Sequence, residues 1–229
     1  MEKTIAFQSP DRISNKDASH TQNHFEKLIG INGKRILKNF KKGQNIFLEG
    51  ENAYILFCLM KGNVKLVKGE SPGKEHIIKI IGPGNNIGYH AIIANTQYSH
   101  SAIAITDVQV CVIQKQNYLE IIKNDYSQLE ELLRKLCIDY IEAEEFIKII
   151  SIKPTRERLA IALLDYTFRE GDDYVCLSRS DLANIIGSAK ETVTRLLTEL
   201  RIEGIISIAG KNITVLNKQK LEKLKGRYE

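Results

Sequence analysis

Residues 177–197 read LSRSDLANIIGSAKETVTRLL, a pattern typical of two short helices joined by a tight turn. Ser178 can cap the first helix, and Asp181 stands at the position that completes a capping box. Gly187 then permits a backbone turn that residues with a β-carbon resist. The stretch therefore predicts a helix-turn-helix.

The second helix of this pair has two different faces. Ser188 and Glu191 repeat the capping pattern at its start. Apolar residues recur on one face at helical spacing, namely Val193, Leu196, Leu197 and Leu200. The other face carries the polar set Lys190, Glu191, Thr194 and Arg195. Several donors beside one carboxylate are the groups that read base edges in a DNA major groove, and a merely solvated charged face is the alternative.

With these features the segment resembles the helix-turn-helix of the CRP/FNR family of bacterial transcription regulators. The run from Glu191 to Leu197 is similar to the recognition helix of that family. The resemblance implies that the polar set Lys190, Glu191, Thr194 and Arg195 faces base edges. Contacts to DNA phosphates are predicted for Ser178, Arg179, Ser188, Thr192 and Lys211.

The residues after the second helix predict a wing. Glu203-Gly204 ends the helix, and residues 205–208 alternate weakly as a strand. Residues 210–212 form a turn and residues 213–215 a returning strand, which places Lys211 at the wing tip, near a phosphate.

Upstream, from Phe40 onward, short apolar runs alternate with turn residues. The runs occupy residues 45–48, 53–60, 64–67, 76–81, 101–105 and 108–113. Many short strands with Gly, Pro and Asn between them predict a β-barrel or jelly roll. Their order resembles the cupin-like effector domain of the same family. The expected fold class is therefore α+β, with an N-terminal barrel, a long dimerisation helix and a C-terminal winged helix-turn-helix.

A long helix is predicted after Lys123. Ser127 and Glu130 form a possible capping box at its start. Apolar residues then recur at spacings of three and four: Leu129, Leu132, Leu133, Leu136, Tyr140, Ala143, Ile147 and Ile150. In the family this helix pairs with its counterpart in a second subunit, which implies that these residues form a dimer interface. The alternative is a helix buried within one subunit.

Boundaries follow from these patterns. Lys153-Pro154 marks a hinge, because proline starts a helix but cannot continue one, and a helix from Arg156 to Phe168 follows it. The predicted organisation is a polar arm with a short amphipathic helix (1–33), a cyclic-nucleotide-binding-like barrel (34–123), the dimerisation helix (124–152) and the winged helix-turn-helix (153–229).

The effector pocket is predicted from the same resemblance. The matching residues are Gly88, Tyr89, His90, Tyr98, Ser99, His100 and Ser101. Cyclic-nucleotide-binding members carry a glutamate where this chain has Tyr89, and an Arg-Ser pair where it has His100-Ser101 or Tyr98-Ser99. A phosphate diester favours a permanent bidentate cation, and neutral histidine supplies one donor. The sequence therefore disfavours a cyclic nucleotide and leaves the effector unknown.

The positions of cysteine and histidine in the sequence give little support to metal or haem binding. Cys58, Cys111, Cys137 and Cys176 are scattered without ligand spacing, so each is predicted to be a small core residue and no metal site is predicted. FNR-type oxygen sensors carry an N-terminal cysteine cluster for iron and sulfur, and residues 1–30 contain no cysteine, which excludes a sensor of that kind. Imidazole can ligate haem, so His76, His90 and His100 keep haem open as an alternative.

Composition limits the classes of function. The chain has 229 residues and a formal net charge of +5, which permits nucleic-acid binding without requiring it. No membrane-spanning run or signal peptide is evident, which predicts a cytoplasmic protein. No nucleophile–base pair or phosphate loop is found, so we expect no enzymatic activity.

Two classes of function therefore remain open. The first is a homodimeric regulator that reads a palindromic operator in double-stranded DNA, with RNA polymerase as a further partner if it activates transcription. The second is a small-molecule-binding β-barrel whose C-terminal helices make protein contacts.

Overall fold

The computed structural model describes residues 36–69, 75–170, 172–175, 177–210 and 212–226. The described residues up to Asp139 belong to one compact unit, and those from Tyr140 onward belong to a second. Among the described residues, no helix combines the length and the apolar character that crossing a membrane requires.

The first unit is a β-barrel. Its strands are β1 (Ile36–Phe40), β2 (Asn45–Phe47), β3 (Ile55–Lys61), β4 (Val64–Gly69), β5 (Glu75–Ile81), β6 (Asn86–Ile87), β7 (Ser101–Ala104) and β8 (Val108–Gln114). Within the described residues they form two four-stranded antiparallel sheets, ordered β1-β8-β3-β6 and β2-β7-β4-β5. The predicted barrel is confirmed.

The barrel core consists of apolar side chains that point inward from both sheets. Leu56 and Leu59 on β3, Ile87 on β6 and Ile113 on β8 are among the most fully buried. Gly62 turns β3 into β4 with a positive φ of 83°, and a β-carbon there would collide with the carbonyl oxygen of Asp107. This position therefore requires glycine.

Two cysteine predictions are confirmed and one is wrong. Cys58 on β3 and Cys111 on β8 lie opposite each other in the sheet as buried free thiols. Burial raises the pKa of Cys58 to about 12. Cys137 is exposed on the long helix, because it lies on a face that the barrel does not cover. Cys176 lies outside the described residues.

Two of three short elements in the first unit differ from the sequence predictions. Residues 36–40 precede the predicted apolar runs, yet they form β1 and pair with β8. Helix α1 (Tyr89–Ala94) follows Gly88 within the predicted effector-pocket segment. Helix α2 (Lys115–Asn124) was not predicted, because its three buried residues, Tyr118, Ile121 and Ile122, give too little periodic signal.

The long helix is α3 (Tyr126–Ile152). Its predicted Ser127–Glu130 capping box is wrong, because Asp125 occupies the capping position. Asp125 Oδ1 accepts hydrogen bonds from the Ser127 backbone N–H at 3.0 Å and the Ser127 hydroxyl at 2.6 Å. Helix α3 ends just before the predicted Lys153-Pro154 hinge.

The second unit contains the remaining elements. They are α4 (Thr155–Asp165), β9 (Thr167–Glu170), β10 (Asp172–Val175), α5 (Arg179–Ile186), α6 (Lys190–Ile202), β11 (Ile206–Ala209), β12 (Asn212–Val215) and α7 (Lys218–Leu224). Helix α4 ends three residues before the predicted end at Phe168, which lies in β9 instead. Strands β11 and β12 pair as the predicted wing in a sheet ordered β11-β12-β10-β9.

The predicted interface residues of α3 divide into two groups. Leu132 is buried in the barrel core, so its assignment to a partner-facing seam is corrected, whereas Leu129 and Leu136 are only partly buried against that core. Ile150 is half-buried and lines a small apolar cavity with residues of α4 and α5. The exposed members are Leu133, Tyr140, Ala143 and Ile147.

Candidate nucleic-acid interface and effector pocket

Helix α5 begins and ends as the sequence predicts. Ser178 Oγ accepts a hydrogen bond from the Asp181 backbone N–H at 3.0 Å, and Asp181 Oδ2 accepts one from the Ser178 backbone N–H at 3.3 Å. Gly187 ends the helix in the left-handed region, with φ 60° and ψ 53°. The capping box and the glycine turn are therefore confirmed.

The start of α6 differs from the prediction. The Ser188 backbone N–H donates to the Ala183 carbonyl at 3.0 Å, which makes Ser188 part of the turn that closes α5. Ala189 is consequently the N-cap of α6, and its side chain makes no capping bond. The second capping box, Ser188 with Glu191, is therefore wrong.

Burial fixes the rotation of α6 about its own axis. The four predicted apolar residues are all buried: Val193, Leu196, Leu197 and Leu200. The opposite face consequently points to solvent, with Lys190, Glu191 and Arg195 exposed and Thr194 half-buried. The polar set predicted to read DNA thus lies together on one accessible helical face.

Two of the predicted contact hydroxyls already have acceptors. Thr194 Oγ1 donates to the Lys190 carbonyl at 2.9 Å, so its proton is committed to the helix. The Ser178 hydroxyl donates to Asp181 Oδ2 at 2.6 Å. Both side chains therefore offer DNA an acceptor more readily than a donor.

The other predicted phosphate contacts vary in access. Arg179 is exposed at the start of α5. Ser188 and Thr192 are half-buried near the start of α6. Lys211 lies outside the described residues.

In the barrel, Gly88 shapes the loop that enters α1. Its φ is 92°, and a β-carbon there would lie 3.0 Å from Tyr98 Cε1 and 3.2 Å from the Ile55 carbonyl oxygen. The tight approach explains why Tyr98 is buried, with its hydroxyl donating to that carbonyl at 2.6 Å. Tyr98 also stacks on Phe47 with ring centroids 3.9 Å apart. Tyr98 is therefore a packed core residue.

Tyr89 and His90 converge on a carboxylate of α3. The Tyr89 hydroxyl donates to Asp139 Oδ2, and His90 Nε2 lies 3.2 Å from the same oxygen. Lys79 Nζ on β5 lies 2.7 Å from Asp139 Oδ1. Burial by itself raises the pKa of Asp139, but the bond from His90 and the charge and bond of Lys79 outweigh it and hold that pKa well below its usual range.

A second polar pair lies one turn earlier on the same helix. Lys135 Nζ donates to Asn86 Oδ1 at 2.9 Å and lies 4.9 Å from the centroid of the Tyr89 ring. Burial lowers the pKa of Lys135 to about 8. We call Lys79, Tyr89, His90, Lys135 and Asp139 the barrel–α3 cluster.

The remaining predicted pocket residues lie around β7. Ser99 Oγ is 3.1 Å from His100 Nδ1, and Ser101 Oγ accepts a hydrogen bond from the Glu49 backbone N–H at 2.9 Å. Burial, then the nearby His90 and Lys68, lower the pKa of His100 to about 4. His100 is consequently a neutral imidazole near pH 7 and not a cation.

One of the predicted pocket residues, Tyr98, lines a cavity in the barrel. The cavity has a volume of about 390 Å³, and its walls also include Phe40, Phe47, Tyr54 and Phe57. Tyr98 belongs to the predicted set, and its hydroxyl is already bonded to Ile55.

Sequence reasoning missed Lys79, Lys135 and Asp139. One signal was present, because Lys135 and Asp139 are four residues apart and share a face of α3 with the buried Leu132. Two charged residues on an apolar face indicate that the surface they pack against supplies partners. The identity of those partners depends on tertiary structure.

Two family models match the chain. A cyclic nucleotide-binding domain matches residues 37–125, and a Crp-like helix-turn-helix domain matches residues 157–224. The two matches cover the barrel and the helix-turn-helix with its wing.

Relatives and solved structures agree with these matches. The chain is 28% identical over 197 residues to the fumarate and nitrate reduction regulatory protein of Vibrio cholerae, covering 82% of this chain and 78% of that one. It is 25% identical over 185 residues to the cyclic AMP receptor protein of Thermus thermophilus, covering 81% and 86%. The structure of FixK2 from Bradyrhizobium japonicum superimposes with a TM-score of 0.77 at 24% identity, covering 86% of this chain and all (100%) of that one.

Proposed function

We propose that this chain, which belongs to the CRP/FNR family of DNA-binding transcription regulators, acts as a homodimer that reads a palindromic operator through helix α6. The observation that carries the proposal is the outward polar face of α6. It displays Lys190, Glu191 and Arg195 on a helix whose opposite face is buried. A helix fixed in this way can enter a major groove with its N-terminal residues against base edges.

The roles of the polar set follow from hydrogen-bonding capacity. Arg195 can donate to the O6 and N7 atoms of guanine, and Glu191 can accept from the amino group of cytosine. We assign the positive charges of Arg179 and Lys211 to phosphates, which accept contacts from basic side chains irrespective of sequence.

Exposed residues on α3 support the dimer. Leu133, Tyr140 and Ile147 are spaced seven residues apart and are 54%, 65% and 64% exposed. A seven-residue apolar repeat is typical of helices that pair. A dimer supplies the two copies of α6 that a palindrome requires, one for each half-site about one duplex turn, roughly 34 Å, from the other.

Base reading is tested on an operator selected from a random duplex pool. We expect Arg195→Ala to reduce discrimination between this operator and a scrambled duplex by about 1–3 kcal/mol per half-site, because it removes a base contact. Glu191→Ala is expected to relax preference at a different symmetric pair of positions. Arg179→Ala is expected to weaken all duplexes alike and to flatten the dependence of affinity on salt.

Arg201→Ala is the matched control, because Arg201 is an exposed arginine in the last turn of the same helix. It should leave the discrimination unchanged. Equal losses on both duplexes for Arg195→Ala and Glu191→Ala would mean that α6 does not read sequence. Failure of the pool to yield any preferred sequence would contradict the proposed function itself.

The barrel does not fit a cyclic nucleotide. Tyr89 occupies the position of the ribose-binding carboxylate, and it is buried with its hydroxyl bonded to Asp139. The lowered pKa of His100 leaves a neutral ring where a phosphate diester favours a permanent cation. Lys79 and Lys135, the cations near Tyr89, contact Asp139 and Asn86. We therefore propose that the effector, if one exists, belongs to another chemical class.

Micromolar cyclic AMP or cyclic GMP is accordingly expected to leave the melting temperature unchanged. A ligand at a hundredfold its dissociation constant would stabilise the protein by about 2.7 kcal/mol, which thermal-shift fluorimetry detects easily. The Thermus relative named as a cyclic AMP receptor protein is the positive control. A dose-dependent rise with either nucleotide would overturn this part of the proposal.

The second class of function is not favoured. It requires the C-terminal helices to make protein contacts in place of DNA contacts. A Crp-like helix-turn-helix model matches residues 157–224, which include all of α5 and α6.

A further inference from the structure

Arg195 is held by a chain of ion pairs behind the exposed face of α6. Its Nη1 atom lies 2.5 Å from Glu199 Oε1, one helical turn later. The other oxygen of Glu199, Oε2, lies 3.7 Å from Nη1 of Arg156 in the first turn of α4. Arg156 Nη2 in turn donates to Glu203 Oε1 at 2.6 Å and Oε2 at 2.7 Å. Glu199 therefore links the predicted base-reading arginine to a second helix.

The side chains in this series of ion pairs differ in solvent exposure. The Arg195 side chain is 66% exposed, whereas those of Glu199 and Arg156 are 34% and 36% exposed. The guanidinium thus projects from a carboxylate that is itself set back against α4. An exposed ion pair of this kind contributes little to folding stability, so stability alone does not explain the arrangement.

The net charge of these four ion-paired side chains also suits a surface that contacts DNA phosphates. A lone carboxylate beside the reading arginine would repel the DNA backbone. Arg156 offsets Glu199, and the four side chains Arg195, Glu199, Arg156 and Glu203 together have no net charge. Arg195 is therefore restrained without a net electrostatic penalty to DNA approach.

We propose that Glu199 is a positioning residue that orients the Arg195 guanidinium for base reading, and that Arg156 anchors Glu199 from α4. Arginine is a flexible side chain whose rotamers are lost on binding. Restraining them before DNA arrives favours the one geometry that makes two hydrogen bonds to guanine. This inference rests on the proposed base-reading role of α6.

The test compares Glu199→Ala with Glu203→Ala. Both changes remove one negative charge from the same ion chain, but Glu203 does not contact Arg195 in the structure. The measurement is the ratio of affinities for the selected operator and for the operator with the Arg195-read base changed. We expect Glu199→Ala to lower this ratio about tenfold per half-site, comparable to loss of a bidentate base contact. Glu203→Ala should leave the ratio unchanged, although both variants bind all duplexes slightly more tightly at low salt.

A double variant shows whether Glu199 acts through Arg195. In an Arg195→Ala background, Glu199→Ala should have no further effect on the ratio, because the side chain that it positions is gone. Glu199→Gln removes the charge while keeping the shape of the side chain, and it should also lower the ratio. It replaces Glu199→Ala in the test if that variant fails to fold.

The measurements distinguish failure of the positioning role of Glu199 from failure of base reading by Arg195. An unchanged or higher ratio for folded Glu199→Ala, with Arg195→Ala still losing discrimination, would overturn the positioning role and leave base reading intact. An unchanged ratio for Arg195→Ala itself would overturn base reading by this arginine, and the positioning role with it.

Discussion

The double variant Leu133→Glu/Ile147→Glu is expected to be monomeric and to bind the palindromic operator about 10²–10⁴-fold more weakly than the wild type, because linked half-site binding is lost. Both residues are exposed and belong to the seven-residue repeat on α3. Pairing of two α3 helices would bury each glutamate without a partner, which is costly. Binding to a single half-site should change little.

Ile141→Glu is the matched control. Ile141 is an exposed isoleucine on the same helix (49% exposed), but it lies one residue outside the repeat, about 100° around the helix from Tyr140. This variant should remain dimeric in sedimentation velocity and keep its preference for the palindrome. A dimer that survives both glutamates would show that another surface holds the subunits together.

Leu133 and Ile147 are proposed as partner-facing residues only when the sequence pattern and the structure are combined. Periodicity predicts that α3 carries apolar residues on more than one face, but it does not assign each face to a neighbour. Leu132 faces its own barrel and Leu133 faces solvent, although the two are adjacent and both leucine. A charged residue at Leu136 would disturb the barrel as well as a dimer, because Leu136 packs against the barrel core.

Helix caps and turns formed by residues close together in the sequence were the most predictable features. Ser178, Asp181 and Gly187 specify α5 and its turn through bonds among near neighbours, so the sequence is sufficient. Ser188 fits the same pattern, yet its N–H is used in the turn, and spacing alone cannot distinguish the two cases.

Contacts between distant residues were the least predictable part of the site. The Asp139 carboxylate contacts Lys79 from β5 and Tyr89 from α1, which are 60 and 50 residues away along the chain, and also the adjacent His90. Glu199 receives Arg156 from α4. Such pairs depend on which elements pack together, and no local signal identifies both partners.

Asp139→Asn is expected to reduce the free energy of unfolding of the protein by about 3 kcal/mol at pH 7, because it breaks the mostly buried ion pair between Asp139 and Lys79. The Asp139 side chain is 16% exposed and that of Lys79 26%, and their closest atoms are 2.7 Å apart. The bonds from Tyr89 and His90 lose a charged acceptor as well. Urea unfolding measures the change.

Asp107→Asn is the matched control, because Asp107 and Lys41 form the same kind of pair at 2.8 Å while their side chains are 63% and 79% exposed. Solvent screens that pair, so its loss should have little effect on unfolding. Equal effects of the two substitutions would mean that the barrel–α3 cluster contributes no more than a surface ion pair.

The pH dependence provides an independent readout for Asp139. Its pKa in the folded protein lies below the ordinary value near 3.9, so the ionised form is favoured by folding. The stabilisation is therefore complete above about pH 5 and is lost as the pH falls through about 4 toward the folded pKa. The difference between wild type and Asp139→Asn should consequently shrink as the pH falls from about 5 to about 3. A difference that stays the same at pH 3 would show that Asp139 stabilises the barrel through shape and hydrogen bonding, and not through its charge.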